Sequence, residues 1–185
     1  MLNVLNLPNT LTLLRIVAIP AVLIALDGGR YALAFWLFVA AGVTDGLDGA
    51  IARLTDSRTA LGSYLDPLAD KGLVVTLLVK LTLLGLVPGW ALTIILTRDI
   101  VCLTGYALLF FLTGERIEIQ PTMVGKTATV LQLAGVACAL FVLFHPAAGE
   151  RIPLASIFGL AATLTAIAGF QYVMRGLTWY QARPA

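Results

Sequence analysis

Hydrophobic residues arrive along this chain in six long runs, not in the three-to-four-residue stripes of a water-facing helix. The runs extend from Pro8 to Leu26, Tyr31 to Leu54, Gly62 to Val87, Gly89 to Thr113, Val124 to Phe144 and Pro153 to Leu177. Each is close to or above the ~20 residues that an α-helix needs to cross the hydrocarbon layer. Breakers mark the connections: Asp27-Gly28-Gly29, Pro88-Gly89, and His145-Pro146 through Gly149. Asn9 stands where an N-cap is expected for the first run. The runs lack the polar outer face of a soluble helical bundle. The pattern predicts an all-α, polytopic membrane protein of six transmembrane helices, forming one domain over residues 1–185 and containing no internal repeat.

Composition strengthens that picture. Of 185 residues, 59% are apolar and 12% charged, against about 25% charged in an ordinary soluble domain. A net charge of +2 gives no electrostatic footprint for nucleic acid. Cys102 and Cys138 lie inside apolar runs and read as small hydrophobes, not as a disulfide or metal pair. Met1 to Pro8 lacks the basic start of a signal peptide. Arg53, Arg58, Arg116, Lys126, Arg175 and Arg183 fall at one set of helix ends, and Arg30 and Arg151 at the other. The first set is expected to be cytoplasmic. Six spans then place both termini there.

Charges inside the runs carry the chemistry. A charge at membrane depth costs about 2.5–3.5 kcal/mol on insertion scales, so such residues are functional candidates. Asp45 and Asp48 stand three apart in the second run, and Asp66 and Asp70 four apart in the third. Either spacing puts two side chains on one helix face. The two runs are consecutive, and both pairs sit toward the same membrane side. Antiparallel packing is therefore expected to gather four carboxylates. Mutual repulsion in a low dielectric prevents four carboxylates from all staying ionised unaided. Two divalent cations would balance them, and an all-oxygen donor set favours Mg²⁺ or Mn²⁺ over zinc. Such a pair of ions suits substitution at phosphorus. Gly46, Gly49, Ala50, Ala52, Gly62 and Ser63 leave room for close approach of a helix or a ligand. Arg53 can hold a phosphate through two parallel hydrogen bonds.

At these residues the chain resembles the CDP-alcohol phosphatidyltransferase family. Asp45-Gly46-Leu47-Asp48-Gly49-Ala50-Ile51-Ala52-Arg53, then eight residues to Gly62, three to Asp66 and three to Asp70, matches the family signature at every fixed position. Pro8-Asn9-Thr10-Leu11-Thr12 and Arg15 resemble the family's first span. The resemblance implies that Asp45, Asp48, Asp66 and Asp70 bind two divalent cations and that Asp70 is also the catalytic base. It implies that Gly49, Ala52, Arg53 and Gly62 line the CDP site. CDP-diacylglycerol would be the phosphatidyl donor, in a homodimer of the bacterial inner-membrane type with its active site facing the cytoplasm.

The acceptor is read from basic residues outside the signature. Arg98 adjoins Asp99 in the fourth run, so it either pairs internally or holds a phosphate. Arg116 follows that run, and Lys126 opens the fifth. Lys80 reads as structural or snorkelling, and His145 as loop. A cation near a helix N-terminus suits a phosphate, which favours a phosphorylated alcohol as partner. Gly125-Lys126 is similar to the family branch that uses glycerol 3-phosphate. Arg98-Asp99 and Pro121-Thr122 are similar to the cardiolipin synthases of the same family, which use phosphatidylglycerol. Glycerol 3-phosphate is the preferred reading. A divalent-cation transporter is the alternative from another class. It fits less well, because the acids cluster near one membrane face instead of lining a path across it.

Overall fold

The computed structural model describes residues 7–55, 62–114 and 122–181; side chains are described for 16–44, 71–114, 122–179 and 181. The described residues form six α-helices and one short 3-10 turn: α1 Leu7–Asp27, α2 Tyr31–Thr55, α3 Gly62–Leu83, α4 Gly89–Thr113, α5 Met123–Phe144, the turn Pro146–Ala148, and α6 Leu154–Gln181. Among them there is no strand.

Three of the helices, α1, α3 and α4, stop at a glycine in the left-handed region. Gly29, in the left-handed region at φ 68°, closes α1. Its N–H donates to Leu26 O at 3.1 Å, and Arg30 N–H donates to Ala25 O at 2.8 Å. This is the Schellman arrangement, in which glycine escapes the Cβ clash of that conformation. Gly85 (φ 77°) ends α3 at Leu83, four residues before the expected limit at Val87. Hydropathy could not reveal that limit, because the backbone turn occurs inside apolar sequence. Gly114 (φ 68°) terminates α4, donating to Phe110 O at 2.8 Å. α1 begins at Leu7, so Asn9 falls inside the helix and not at its cap.

The chain divides into two compact units. One comprises Met1–Leu81 with Val136–Ile152, and the other Thr82–Gly135 with Pro153–Ala185. In the first, α1 packs on α2. α3 also meets α1: the missing Cβ of Gly72 would sit 3.4 Å from Ile19 Cδ1, and Lys80 Nζ is ion-paired with Asp27. Phe35 of α2 packs against Phe141 and Phe144 of α5, with centroids 5.7 and 6.3 Å away. His145 stacks on Phe144 at 4.1 Å. The core here includes Val22, Phe38, Leu77, Leu78 and Leu140.

In the second unit α4 packs on α6. Trp90, Arg98 and Leu109 of α4 face Gly159, Gly169 and Gly176 of α6 in the same order along both chains, so the two helices run parallel. Small residues of this kind let helices approach closely where lipid removes the hydrophobic drive. Phe158, wholly buried, fills the space over Gly135 of α5. Gln132 Nε2 donates to Thr165 Oγ1 at 2.8 Å, and Thr165 donates to Ala161 O at 2.6 Å. The only buried polar or charged residue among those described, Thr165, is thereby satisfied on both sides.

Three helices, Gly89–Thr113, Met123–Phe144 and Leu154–Trp179, are long and apolar enough to cross a membrane. Their outer surfaces suit lipid. Phe111, Leu103 and Phe170 are largely exposed. Exposed threonines return their hydroxyls to their own helix, as Thr93 does to Gly89 O (3.0 Å), Thr104 to Ile100 O (2.7 Å) and Thr163 to Gly159 O (2.9 Å). That satisfies each donor without water. By length, apolar composition and exposed surface these three helices fit a bilayer.

Candidate functional site

Backbone geometry puts the acidic residues on two unbroken helices. Asp45, Asp48, Gly49, Ala52 and Arg53 lie in α2, and Gly62, Asp66 and Asp70 in α3. Within a helix the three- and four-residue spacings align each aspartate pair on one face. The side chains of all eight residues lie outside the described residues, and so does Arg116 entirely. Among the described residues no group of three or more His, Cys, Asp or Glu forms a metal site. The four aspartates offer only carboxylate oxygens, a donor set that fits Mg²⁺ or Mn²⁺.

The basic residues Arg98 and Lys126, which lie in the second unit, are better defined. Arg98, half-buried on α4, pairs with Asp99 through Nη1–Oδ1 at 2.8 Å. The internal ion pair expected as one reading of Arg98 is therefore present. It uses only part of the guanidinium. Nε of Arg98 is buried with no hydrogen-bond acceptor among the described residues, as is the carbonyl oxygen of the Gln171 side chain with no donor among them. Nη2 reaches the first turn of α5, 3.5 Å from where a Cβ on Gly125 would stand. Tyr172 of α6 lies within electrostatic reach of Arg98.

That first turn is capped by Thr122, whose Oγ1 accepts from Gly125 N–H at 3.1 Å, three residues on. Lys126 follows Gly125 and is exposed. A guanidinium at a helix N-terminus meets the positive end of the helix dipole, an arrangement that an anion would relieve. Arg98 and the turn bearing Lys126 thus come together. Lys80 is structural, held by Asp27, and His145 packs on aromatic rings beyond the end of α5.

Sequence reasoning did not anticipate the structural roles of Thr122, Gly169, Gln132 and Thr165. Thr122 carried a readable signal, a threonine immediately before a helical run. Gly169 carried none, since its partner lies on another helix. The Gln132–Thr165 bridge likewise joins residues whose pairing no local spacing announces.

Comparison with known proteins places these residues in context. The family model described as CDP-alcohol phosphatidyltransferase matches residues 5–171. A "probable phosphatidylglycerophosphate synthase" of Mycobacterium tuberculosis is 37% identical over 179 residues, covering 93% of this chain and 82% of that protein. The "CDP-diacylglycerol--glycerol-3-phosphate 3-phosphatidyltransferase" of Bacillus subtilis is 34% identical, covering 90% of this chain and 93% of that protein. A "probable cardiolipin synthase (CMP-forming)" of Drosophila melanogaster is 32% identical, covering 93% of this chain and 58% of that protein.

Proposed function

Since the chain belongs to the CDP-alcohol phosphatidyltransferase family, we propose that it transfers the phosphatidyl group of CDP-diacylglycerol to glycerol 3-phosphate, yielding phosphatidylglycerophosphate and CMP. Membership in a transferase family sets aside the cation-transporter alternative. The observation that carries the choice of a phosphorylated acceptor is the Arg98 guanidinium, anchored by Asp99 and extended to the capped N-terminus of α5 beside Lys126. The two bacterial relatives whose names specify phosphatidylglycerophosphate synthesis or glycerol 3-phosphate support the same choice.

In this reading Arg98, Arg116 and Lys126 hold the acceptor phosphate. Gly49, Ala52 and Gly62 leave the space that the CDP moiety occupies, and Arg53 holds one of its phosphates. Asp70 takes the proton from the acceptor hydroxyl. The oxygen attacks the phosphorus that bears diacylglycerol, and the bond from that phosphorus to the CMP oxygen breaks. Two Mg²⁺ or Mn²⁺ ions, held by Asp45, Asp48, Asp66 and Asp70, would neutralise the pyrophosphate and the charge gathering on the leaving group. Removing them with a chelator should stop CMP release, and added Mg²⁺ or Mn²⁺ should restore it.

The proposal extends to architecture. All six helices cross the bilayer as one catalytic domain over residues 1–185, with the aspartates and both termini on the cytoplasmic side. The protein works as a homodimer, its donor lipid entering from the bilayer. The cardiolipin synthase relatives support a second reading, with phosphatidylglycerol as acceptor. Purified protein with CDP-diacylglycerol, Mg²⁺ or Mn²⁺ and a panel of acceptors decides between them by product mass. Phosphatidylglycerophosphate is expected. Cardiolipin formed from phosphatidylglycerol, with no product from glycerol 3-phosphate, would replace the first reading by the second.

A further inference from the structure

The stem of Arg98 passes α6 at Gly169. An ideal Cβ built on Gly169 would lie 3.0 Å from Arg98 Cγ and 3.6 Å from Arg98 Cβ. Carbon atoms not bonded to one another settle near 3.5–4.0 Å, so a methyl group here forces the arginine to move. The contact is near the root of the side chain and not at its flexible end. A change of χ1 that carries Cγ away swings the guanidinium through a far larger arc. At the other end the space is also left by a glycine, because Nη2 sits 3.5 Å from the missing Cβ of Gly125. The guanidinium is tied to Asp99 by Nη1, while Nε is buried with no acceptor among the described residues. An unmade hydrogen bond of this kind is costly, so the pose is not one that Arg98 reaches for its own satisfaction.

The geometry points to Gly169 as a positioning residue for the acceptor. Its bare Cα forms a slot that sends the Arg98 stem across α6 and delivers the guanidinium to the α5 N-terminus, next to the turn that carries Lys126. The inference rests on the proposed role of Arg98 in holding the acceptor phosphate. Gly169 touches no substrate, and acts only through where it lets Arg98 lie.

The test is a double-mutant cycle on the full-length enzyme in detergent or nanodiscs, with KM and kcat measured separately for glycerol 3-phosphate and CDP-diacylglycerol. Arg98→Ala should raise KM for glycerol 3-phosphate. Gly169→Ala should raise it as well, by roughly ten-fold or more, since displacing a positioning group by about 1 Å can have effects of that order. KM for CDP-diacylglycerol should change less than about two-fold, as befits loss of binding confined to one substrate. In the Arg98→Ala background Gly169→Ala should add nothing, because the stem it obstructs is gone. If Arg98→Ala raises acceptor KM and Gly169→Ala does not, the slot is refuted and the role of Arg98 survives. If Arg98→Ala leaves acceptor KM unchanged, both fall. An equal effect of Gly169→Ala with and without Arg98 would mean general helix packing and would also refute the slot. Should Gly169→Ala alone not fold, the double variant must be recovered folded to the level of Arg98→Ala; its loss too would overturn the assignment.

Discussion

A carboxylate at the centre of a membrane helix costs about 2.5–3.5 kcal/mol on insertion scales, and in the six-span proposal α2 and α3 would together bring four into the bilayer at signature spacing. Such residues need a function to offset them. For Asp70 the proposed function is to take a proton, which an amide cannot do. Asp70→Asn should abolish phosphatidyl transfer while CDP-diacylglycerol still binds, as checked by CMP release alongside retention of labelled donor. Wild-type turnover would end that role. Thr165 makes a different kind of residue-scale argument. It accepts from Gln132 and donates to Ala161. Thr165→Val preserves shape but strands the Gln132 amide. Hydrogen bonds within membrane proteins average about 0.6 kcal/mol and reach about 1.7, so a loss of about 1 kcal/mol is expected in denaturant unfolding. Adding Gln132→Leu should recover most of it, since removing both partners leaves nothing unpaired.

Between helices, glycine decides contact. Gly135 lets the Phe158 ring lie where a Cβ would be 2.9 Å from Cε1 and 3.0 Å from Cζ. The ring is rigid and fully buried. Gly135→Ala should therefore destabilise α5 on α6, since overpacking costs about 1–3 kcal/mol, partly offset by the ~1 kcal/mol that alanine gains over glycine in a helix. Among the described residues, none comes within 4 Å of the missing Cβ of Gly105 in α4. Gly105→Ala should be neutral or slightly stabilising, and thermal unfolding of the two variants side by side checks the contrast. The contrast was not legible in sequence. Both glycines sit mid-run among apolar residues, and only the neighbouring helix distinguishes them. Helix ends divide the same way. The α1–α2 turn was readable from Asp27-Gly28-Gly29, whereas the early end of α3 depends on Gly85 adopting φ 77° within an apolar stretch.

For the whole molecule, the six-span proposal makes a parity statement: residues on either side of one crossing helix face opposite compartments. Glu150 precedes α6 and Gln181 ends it. With Cys102 and Cys138 replaced by alanine, Glu150→Cys and Arg30→Cys should react with a membrane-impermeant maleimide in intact cells. Gln181→Cys should react only after permeabilisation. Equal labelling of Glu150→Cys and Gln181→Cys would break the topology. The same parity would put the end of α2 and the start of α3 on the side rich in arginine, where a water-soluble acceptor could arrive.

Sequence alone determined the helical class, all six helix starts to within one residue, the acidic signature and the family, because hydrophobic run length and fixed carboxylate spacing are properties of the chain itself. It also singled out Arg98, Arg116 and Lys126 as candidates to hold an acceptor phosphate. Only the tertiary structure decided how Arg98 divides its guanidinium, which glycines are packed against and which are open, and that Gln132 answers Thr165. Those outcomes depend on atoms brought within 3–4 Å by separate helices, and no local pattern encodes the distance between two helices that are far apart in sequence.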